Sequence, residues 1–143
     1  MEEKKSSILK GKKGLIVGIA NERSLAWGIA NCIHQHGGEL ALTYQNDALK
    51  KRIVPLATKV NSNNIYEFDI QNYEKTPSFF ENLSQDFGNL DFIVHAVAFS
   101  DKEELKGDYV DTTKNNFLNT MEISCYSFTA LIREALPFMN EKA

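Results

Sequence analysis

Short apolar runs alternate with amphipathic segments along the whole chain. Gly14-Leu15-Ile16-Val17-Gly18 carries no polar side chain, which predicts a short strand buried on both faces. Ser24 to His36 has helical spacing, with Ser24 placed as N-cap and Gly37-Gly38 as the stop. Glu39 to Tyr44 predicts a second strand. Asp47 to Lys59 predicts a second helix, with Pro55 as a kink or break. A third strand is expected over Ile65 to Phe68, ending at Asp69. A third helix follows over Thr76 to Phe87, with Thr76 as its cap and Pro77 in its first turn. Leu90 to Ala98 reads as a fourth strand, apolar on both faces. Asp101 to Asp111 is a polar loop, and Thr112 opens a long helix running toward Pro137.

Strands alternating with helices of this length predict an α/β fold, a doubly wound parallel sheet of the Rossmann type with strand order 3-2-1-4. Residues 1–143 are expected to form part of a single domain. The fourth strand has the pattern of an interior strand, yet no fifth strand follows it. An open edge of that kind exposes unpaired backbone groups. Either the chain is incomplete or a homomeric contact covers the edge.

Composition narrows the function classes. A net charge of -3 gives no electrostatic footprint for nucleic acid or anionic lipid. The basic clusters Lys4, Lys5, Lys10, Lys12, Lys13 and Lys50-Lys51-Arg52 read as solvated surface. The opening residues MEEKKSS have no apolar stretch of the signal-peptide kind, and no apolar run is long enough to span a bilayer. Cys32 and Cys125 lie among apolar residues, which predicts two buried, reduced thiols in a cytoplasmic protein rather than a disulfide or a metal pair. His34 and His36 fall at a helix C-terminus, where imidazole is favoured. His95, on a strand, is expected to be a hydrogen-bonded core residue.

The candidate chemistry lies in the first strand-turn-helix, Gly18-Ile-Ala-Asn-Glu-Arg-Ser24-Leu-Ala-Trp27-Gly28. A dinucleotide's pyrophosphate needs close backbone approach and N–H groups directed at it. A glycine at the end of a strand allows the turn, and a helix N-terminus supplies free N–H donors with about half a unit of positive charge. Ser24 offers a hydroxyl donor, and Gly28 is expected to let the helix pack close to the sheet. The usual G-x-G-x-x-G is not present, so an ordinary strand-to-helix turn with a capping serine is the alternative.

The spacing of Gly18, Ser24 and Gly28 resembles the stretched phosphate loop of bacterial enoyl-acyl-carrier-protein reductases, a divergent branch of the short-chain dehydrogenases. Further matches follow in order: Thr43-Tyr44-Gln45-Asn46-Asp47, Asp69-Ile70, His95-Ala96-Val97-Ala98-Phe99, Gly107-Asp108-Tyr109 and Ser124-Cys125-Tyr126-Ser127-Phe128. The resemblance runs from about Leu9 to the end of the chain. It implies cofactor contacts from Gly18, Ala20, Ser24 and Leu25 in the loop, from Gln45 to the adenosine ribose, from Asp69 and Ile70 to adenine, and from Val97 and Ala98 along the fourth strand. It also implies backbone contacts to substrate or inhibitor at Ser100. Gln45 gives no cationic welcome to a 2′-phosphate and Asp47 would repel one, so NADH is expected over NADPH, although Lys50 could reach back.

The family reaction implied is hydride delivery from NADH to the β-carbon of a trans-2-enoyl thioester carried on acyl carrier protein. A Tyr-x6-Lys pair assists it, and in the family that pair lies beyond the segment corresponding to this chain. Tyr109 and Tyr126 have no Lys seven residues later. No catalytic residue is therefore expected here, and the chain alone is expected to be inactive. The resemblance also implies a homo-oligomer, a tetramer, in which Tyr126, Phe128, Leu131 and Ile132 serve core and subunit contact. Another short-chain dehydrogenase, such as a ketoreductase, would carry G-x-x-x-G-x-G and N-N-A-G, which this chain lacks. A non-catalytic dinucleotide-binding module remains the reading from a different class.

Overall fold

The computed structural model describes residues 7–143; Lys4 and Lys5 of the N-terminal basic cluster lie outside them. Four parallel strands form one sheet in the order β3-β2-β1-β4, as the alternation predicts. The strands are β1 (Lys13–Val17), β2 (Glu39–Tyr44), β3 (Asn64–Glu67) and β4 (Phe92–His95). Side chains alternate across the sheet. Leu15, Val17 and Ala41 face one core with Phe79, Phe80, Leu83 and Leu131. Ile16, Leu40, Leu42 and Tyr44 face the other with Ala26, Ala30, Ile53 and Leu56. Helices α1 (Leu25–Gln35) and α2 (Asp47–Lys59) cover that second face, and α3 (Thr76–Phe87) lies on the first.

The helix boundaries follow from local chemistry. Ser24 is the N-cap of α1. Its end is a Schellman turn, with Gly38 N–H on the Ile33 carbonyl, Gly37 N–H on that of His34, and Gly37 at φ 88°. Asn46 caps α2, accepting from the Leu49 N–H at 3.1 Å. Of the kink or break expected at Pro55, the break does not occur: α2 continues through it to Lys59. Pro55 is exposed, on the solvent side of the helix, so the N–H that proline lacks is missing where the helix faces water. Thr76 is not the cap of α3; Lys75 occupies that position, and the Thr76 hydroxyl donates to the Asn72 carbonyl at 3.2 Å. Pro77 does lie in the first turn.

The last third departs furthest from the simple pattern. The helix from Lys114 is not uniform: α4 (Lys114–Met121) widens into a π-turn over Glu122–Tyr126 before α5 (Ser127–Ala135), which joins α3 on the first face. The fourth strand is shorter than its apolar run, because β1, its only long partner, ends at Val17 opposite His95. All four β4 residues are half-buried. Its outer edge is not wholly unpaired: Leu90 forms a parallel bridge with Met139, through bonds of 2.9 Å from its N–H to the Phe138 carbonyl and 2.8 Å from the Asn140 N–H. Cys32 and Cys125 are free but exposed, against expectation. Ala26 and Ala30 take the buried side of α1, and Ile123 and Ser127 take the buried side of the π-turn, which leaves both thiols outward. No described helix is long and apolar enough to cross a membrane.

Candidate nucleotide-binding site

A cavity of 210 Å³ opens beside the carboxyl ends of β1, β2 and β4, where doubly wound sheets bind ligands. Six of the predicted residues line it: Gly18, Ala20, Gln45, Ile70, Val97 and Ala98. A second groove of 490 Å³ shares Gln45 and Phe68 with it and holds Asp69. Ser24 and Leu25 lie at the tip of α1 and do not line the cavity. Ser100 lies in a different groove, against α4, and its hydroxyl oxygen accepts from Asn116 and Thr120, each at 3.1 Å.

Gly18 is the residue with no substitute. Its φ is 112°, and a Cβ there would stand 2.1 Å from the Ala96 carbonyl oxygen. The turn out of β1 is thus wedged against β4 and brings bare main chain to the cavity rim. Beyond it, Asn21 organises the approach to α1. Its side-chain oxygen accepts from Arg23 N–H at 2.8 Å, and its carbonyl accepts from the Ser24 hydroxyl at 2.7 Å. The Ser24 proton is therefore spent on Asn21, and as a donor to a phosphate it must first turn away. The N–H groups of Leu25 and Ala26 have no acceptor among the described residues, and the first turn of α1 carries no acidic side chain. Those features suit an anion. Leu25 presents its main chain rather than its side chain, which is 85% exposed.

Gly28 does not have the expected role. It is exposed, and a Cβ there would meet nothing within 4 Å. Ala26 and Ala30 face the sheet instead, and Gly28, two residues from each, points to solvent.

At the end of β2, Lys50 lies over Tyr44, with its Nζ 5.4 Å from the centre of the ring. Tyr44 and Lys51 have the Tyr-x6-Lys spacing, but Tyr44 is a buried strand residue and Lys51 an exposed helix residue. Seven residues is about two helical turns, so that spacing puts two side chains on one face when both lie on one helix, which these do not. His95 Nε2 lies 2.8 Å from the Ser127 hydroxyl, which donates to the Ile123 carbonyl at 2.6 Å. With its proton committed, Ser127 accepts, so the geometry assigns the imidazole proton to Nε2. Burial holds the His95 pKa below the usual imidazole value. The ring meets Phe128 edge-on.

Leu49, Phe68, Gln71, Phe99 and Ile123 also line the cavity and were not anticipated as site residues. Leu49 follows from the Asn46 cap, which sets the phase of α2. Ile123 has no local signal, since it arrives from the π-turn of a distant helix.

The sequence and the fold are similar to those of known proteins. The profile of the family described as Enoyl-(Acyl carrier protein) reductase matches residues 18–143. Among curated relatives, enoyl-[acyl-carrier-protein] reductase [NADH] 2 of Rhizobium meliloti is 47% identical over 95% of this chain and 51% of its own length. The corresponding NADH enzyme of Rickettsia bellii is 46% identical over 95% of this chain and 52% of its own length. The chain thus spans about half the length of the curated relatives it matches. Among solved structures, the reductase of Anaplasma phagocytophilum in complex with NAD superposes with a TM-score of 0.89 at 49% identity, covering 94% of this chain and 52% of that one. A Bacillus cereus enoyl-acyl carrier protein reductase with NADP+ and an indole naphthyridinone gives the same TM-score at 36% identity, covering 94% and 53%. With its profile match, these identities and the 3-2-1-4 sheet, the chain belongs to the enoyl-(acyl carrier protein) reductase family.

Proposed function

We propose that this chain binds NADH and is the nucleotide-binding part of an enoyl-acyl-carrier-protein reductase. In this reading residues 1–143 belong to a single Rossmann-type domain whose catalytic strand-helix unit lies outside them. The observation that carries the reading is Gly18: its positive φ and its contact with Ala96 leave a strip of main chain at a cavity rim that no side chain fills. The free N–H groups opening α1 receive the pyrophosphate. Gln45 receives the adenosine ribose, and Asp69 and the main chain of Ile70 receive adenine. Val97 and Ala98 give a flat wall for close approach. NADH, when bound, supplies the hydride for the β-carbon of an enoyl thioester presented on acyl carrier protein. The residues here bind and orient the cofactor, and none takes part in proton transfer to the thioester.

The names of the R. meliloti and R. bellii relatives support NADH, while the B. cereus structure shows NADP+ within the family. A cytoplasmic homo-oligomer fits the two free thiols and the exposed Tyr126 and Phe128. Trp27, the only tryptophan, sits in the first turn of α1 and reports directly on the site. NADH titration should change its emission saturably, with NADPH binding more weakly, and crotonyl thioesters should not turn over. No emission change at millimolar NADH defeats the binding assignment. Equal or tighter NADPH binding defeats the preference, and turnover by the purified chain defeats the division of labour.

A further inference from the structure

After Ala96, whose N–H donates to the Val17 carbonyl at 2.9 Å, the chain leaves the sheet. Val97, Ala98 and Phe99 then form one wall of the cavity. Among the described residues, no main-chain hydrogen bond to other main chain holds positions 97–100, and the next is Glu104 N–H to the Asp101 carbonyl. One face of the long helix does the holding instead. The Ser124 hydroxyl accepts from Phe99 N–H at 3.1 Å and donates to the Phe99 carbonyl at 3.2 Å. The buried Asn116 amide accepts from Asp101 N–H at 3.0 Å and donates to Ser100 Oγ at 3.1 Å; Thr120 reaches the same oxygen. Positions 116, 120 and 124 follow the i, i+4 spacing that brings side chains to one face.

The π-turn matters to this arrangement. Turns of this kind are rare and concentrate at functional sites. Here it delivers Ile123 to the cavity and Ser124 to the wall beside it. Ser127, on the following turn, ties the Ile123 carbonyl to His95 of β4. The wide turn is thereby locked to the strand whose continuation it supports.

We propose that Ser124 is a positioning residue for the nucleotide site. Its hydroxyl holds both peptide groups of Phe99, and through them the Val97–Phe99 wall, without itself lining the cavity. The inference rests on the reading of this cavity as a dinucleotide site. Because the Phe99 bonds are solvent-exposed, water replaces the hydroxyl at little cost to folding when Ser124 is truncated. The wall, having no other main-chain anchor, loses its register.

In the full chain, Ser124→Ala should speed Phe99 amide exchange about tenfold while leaving Ala96 exchange unchanged. The Kd for NADH should rise about fivefold, the effect of one lost hydrogen bond, with a Tm change under about 3 °C. Ser124→Thr, which keeps the hydroxyl, should restore both readouts. If the unaltered chain binds NADH and Ser124→Ala binds it equally well, the positioning role is wrong while the nucleotide reading stands. An unchanged Phe99 exchange rate overturns the clamp itself. If the unaltered chain binds no NADH, the nucleotide reading fails and the assignment of Ser124 fails with it, whatever the exchange rates show.

Discussion

The two segments that border the cavity leave the sheet side by side and are held in opposite ways. At the end of β1, shape is set by main chain and by side chains within the turn itself: Gly18 at positive φ against the Ala96 carbonyl, then the Asn21–Ser24 turn into α1. Beyond β4, shape is dictated by side chains of a helix that comes 15 to 25 residues later in the chain. The first segment is held by bonds within its own turn and by the close approach of Gly18 to Ala96. The second is as well placed as the Asn116, Thr120 and Ser124 side chains make it. A Rossmann site therefore need not be equally hard on both sides, and substitutions should act on its two walls by different mechanisms.

The largest effect is expected at Gly18. Gly18→Ala forces a Cβ into a conformation that side chains rarely adopt and into contact with a carbonyl oxygen, so neither the turn nor β4 can yield without losing sheet register. The expected cost is about 2–4 kcal/mol, read by urea denaturation, together with loss of NADH binding. A stable variant with undiminished binding would show the β1 side to be as adaptable as the β4 side.

Acid should separate the two sides. The Gly18 turn is held by main-chain groups that do not titrate, whereas the β4 side includes His95, whose pKa burial lowers. A lowered folded-state pKa means stability that is present above the unfolded value, about 6.5, and is lost as pH falls through the lower folded value. Asp91, at the far end of β4, is also lowered. The chief cause is the Lys13 N–H at 2.8 Å, joined by Lys12 Nζ at 3.0 Å and Asn140 Nδ2 at 3.1 Å. Its contribution is present above about pH 3.9 and disappears below that. Acidification should therefore loosen the β4-to-helix contact first and part β1 from β4 later. Thermal melts from neutral to acid pH should show two stages of decline. Asp91→Asn should lower stability by about 1 kcal/mol at neutral pH and remove the second stage only.

The same contrast explains what was legible in the sequence. The four strands, their order and the first three helices followed from apolar runs and spacings, because those patterns track burial. The Gly18 loop was legible because its geometry is local: a glycine at a strand end and a capping serine six residues on. Ser124, Asn116 and Thr120 were not, since a polar residue on a helix looks solvent-facing until its distant partner is known. The π-turn left no trace, because one added residue scarcely alters an apolar arc already wide. β4 was read too long because apolarity continues past Ala96 whereas main-chain hydrogen bonds do not. Cys32 and Cys125 were misplaced because apolar neighbours in sequence need not share a helix face.

Gly28 gives the smallest effect and a test of whether the loop acts as one motif. In sequence, Gly18 and Gly28 belong to the same pattern; in the structure only Gly18 meets a neighbour that forbids a side chain. Gly28 lies in the interior of α1 with helical geometry and open space around its Cα. A glycine there costs the helix about 0.5–1 kcal/mol relative to alanine, through the conformational freedom it retains in the unfolded chain. Gly28→Ala should therefore raise the stability of this chain by that amount and leave NADH affinity within about twofold, because in the proposed site the pyrophosphate is received by the N–H groups of Leu25 and Ala26. Chemical denaturation and the Trp27 titration measure the two quantities on one sample. A destabilised variant would mean that something packs against the outer face of α1 after all. A stabilised variant that no longer binds would place the cofactor further along the helix than the first turn, and would make the two glycines partners in one site.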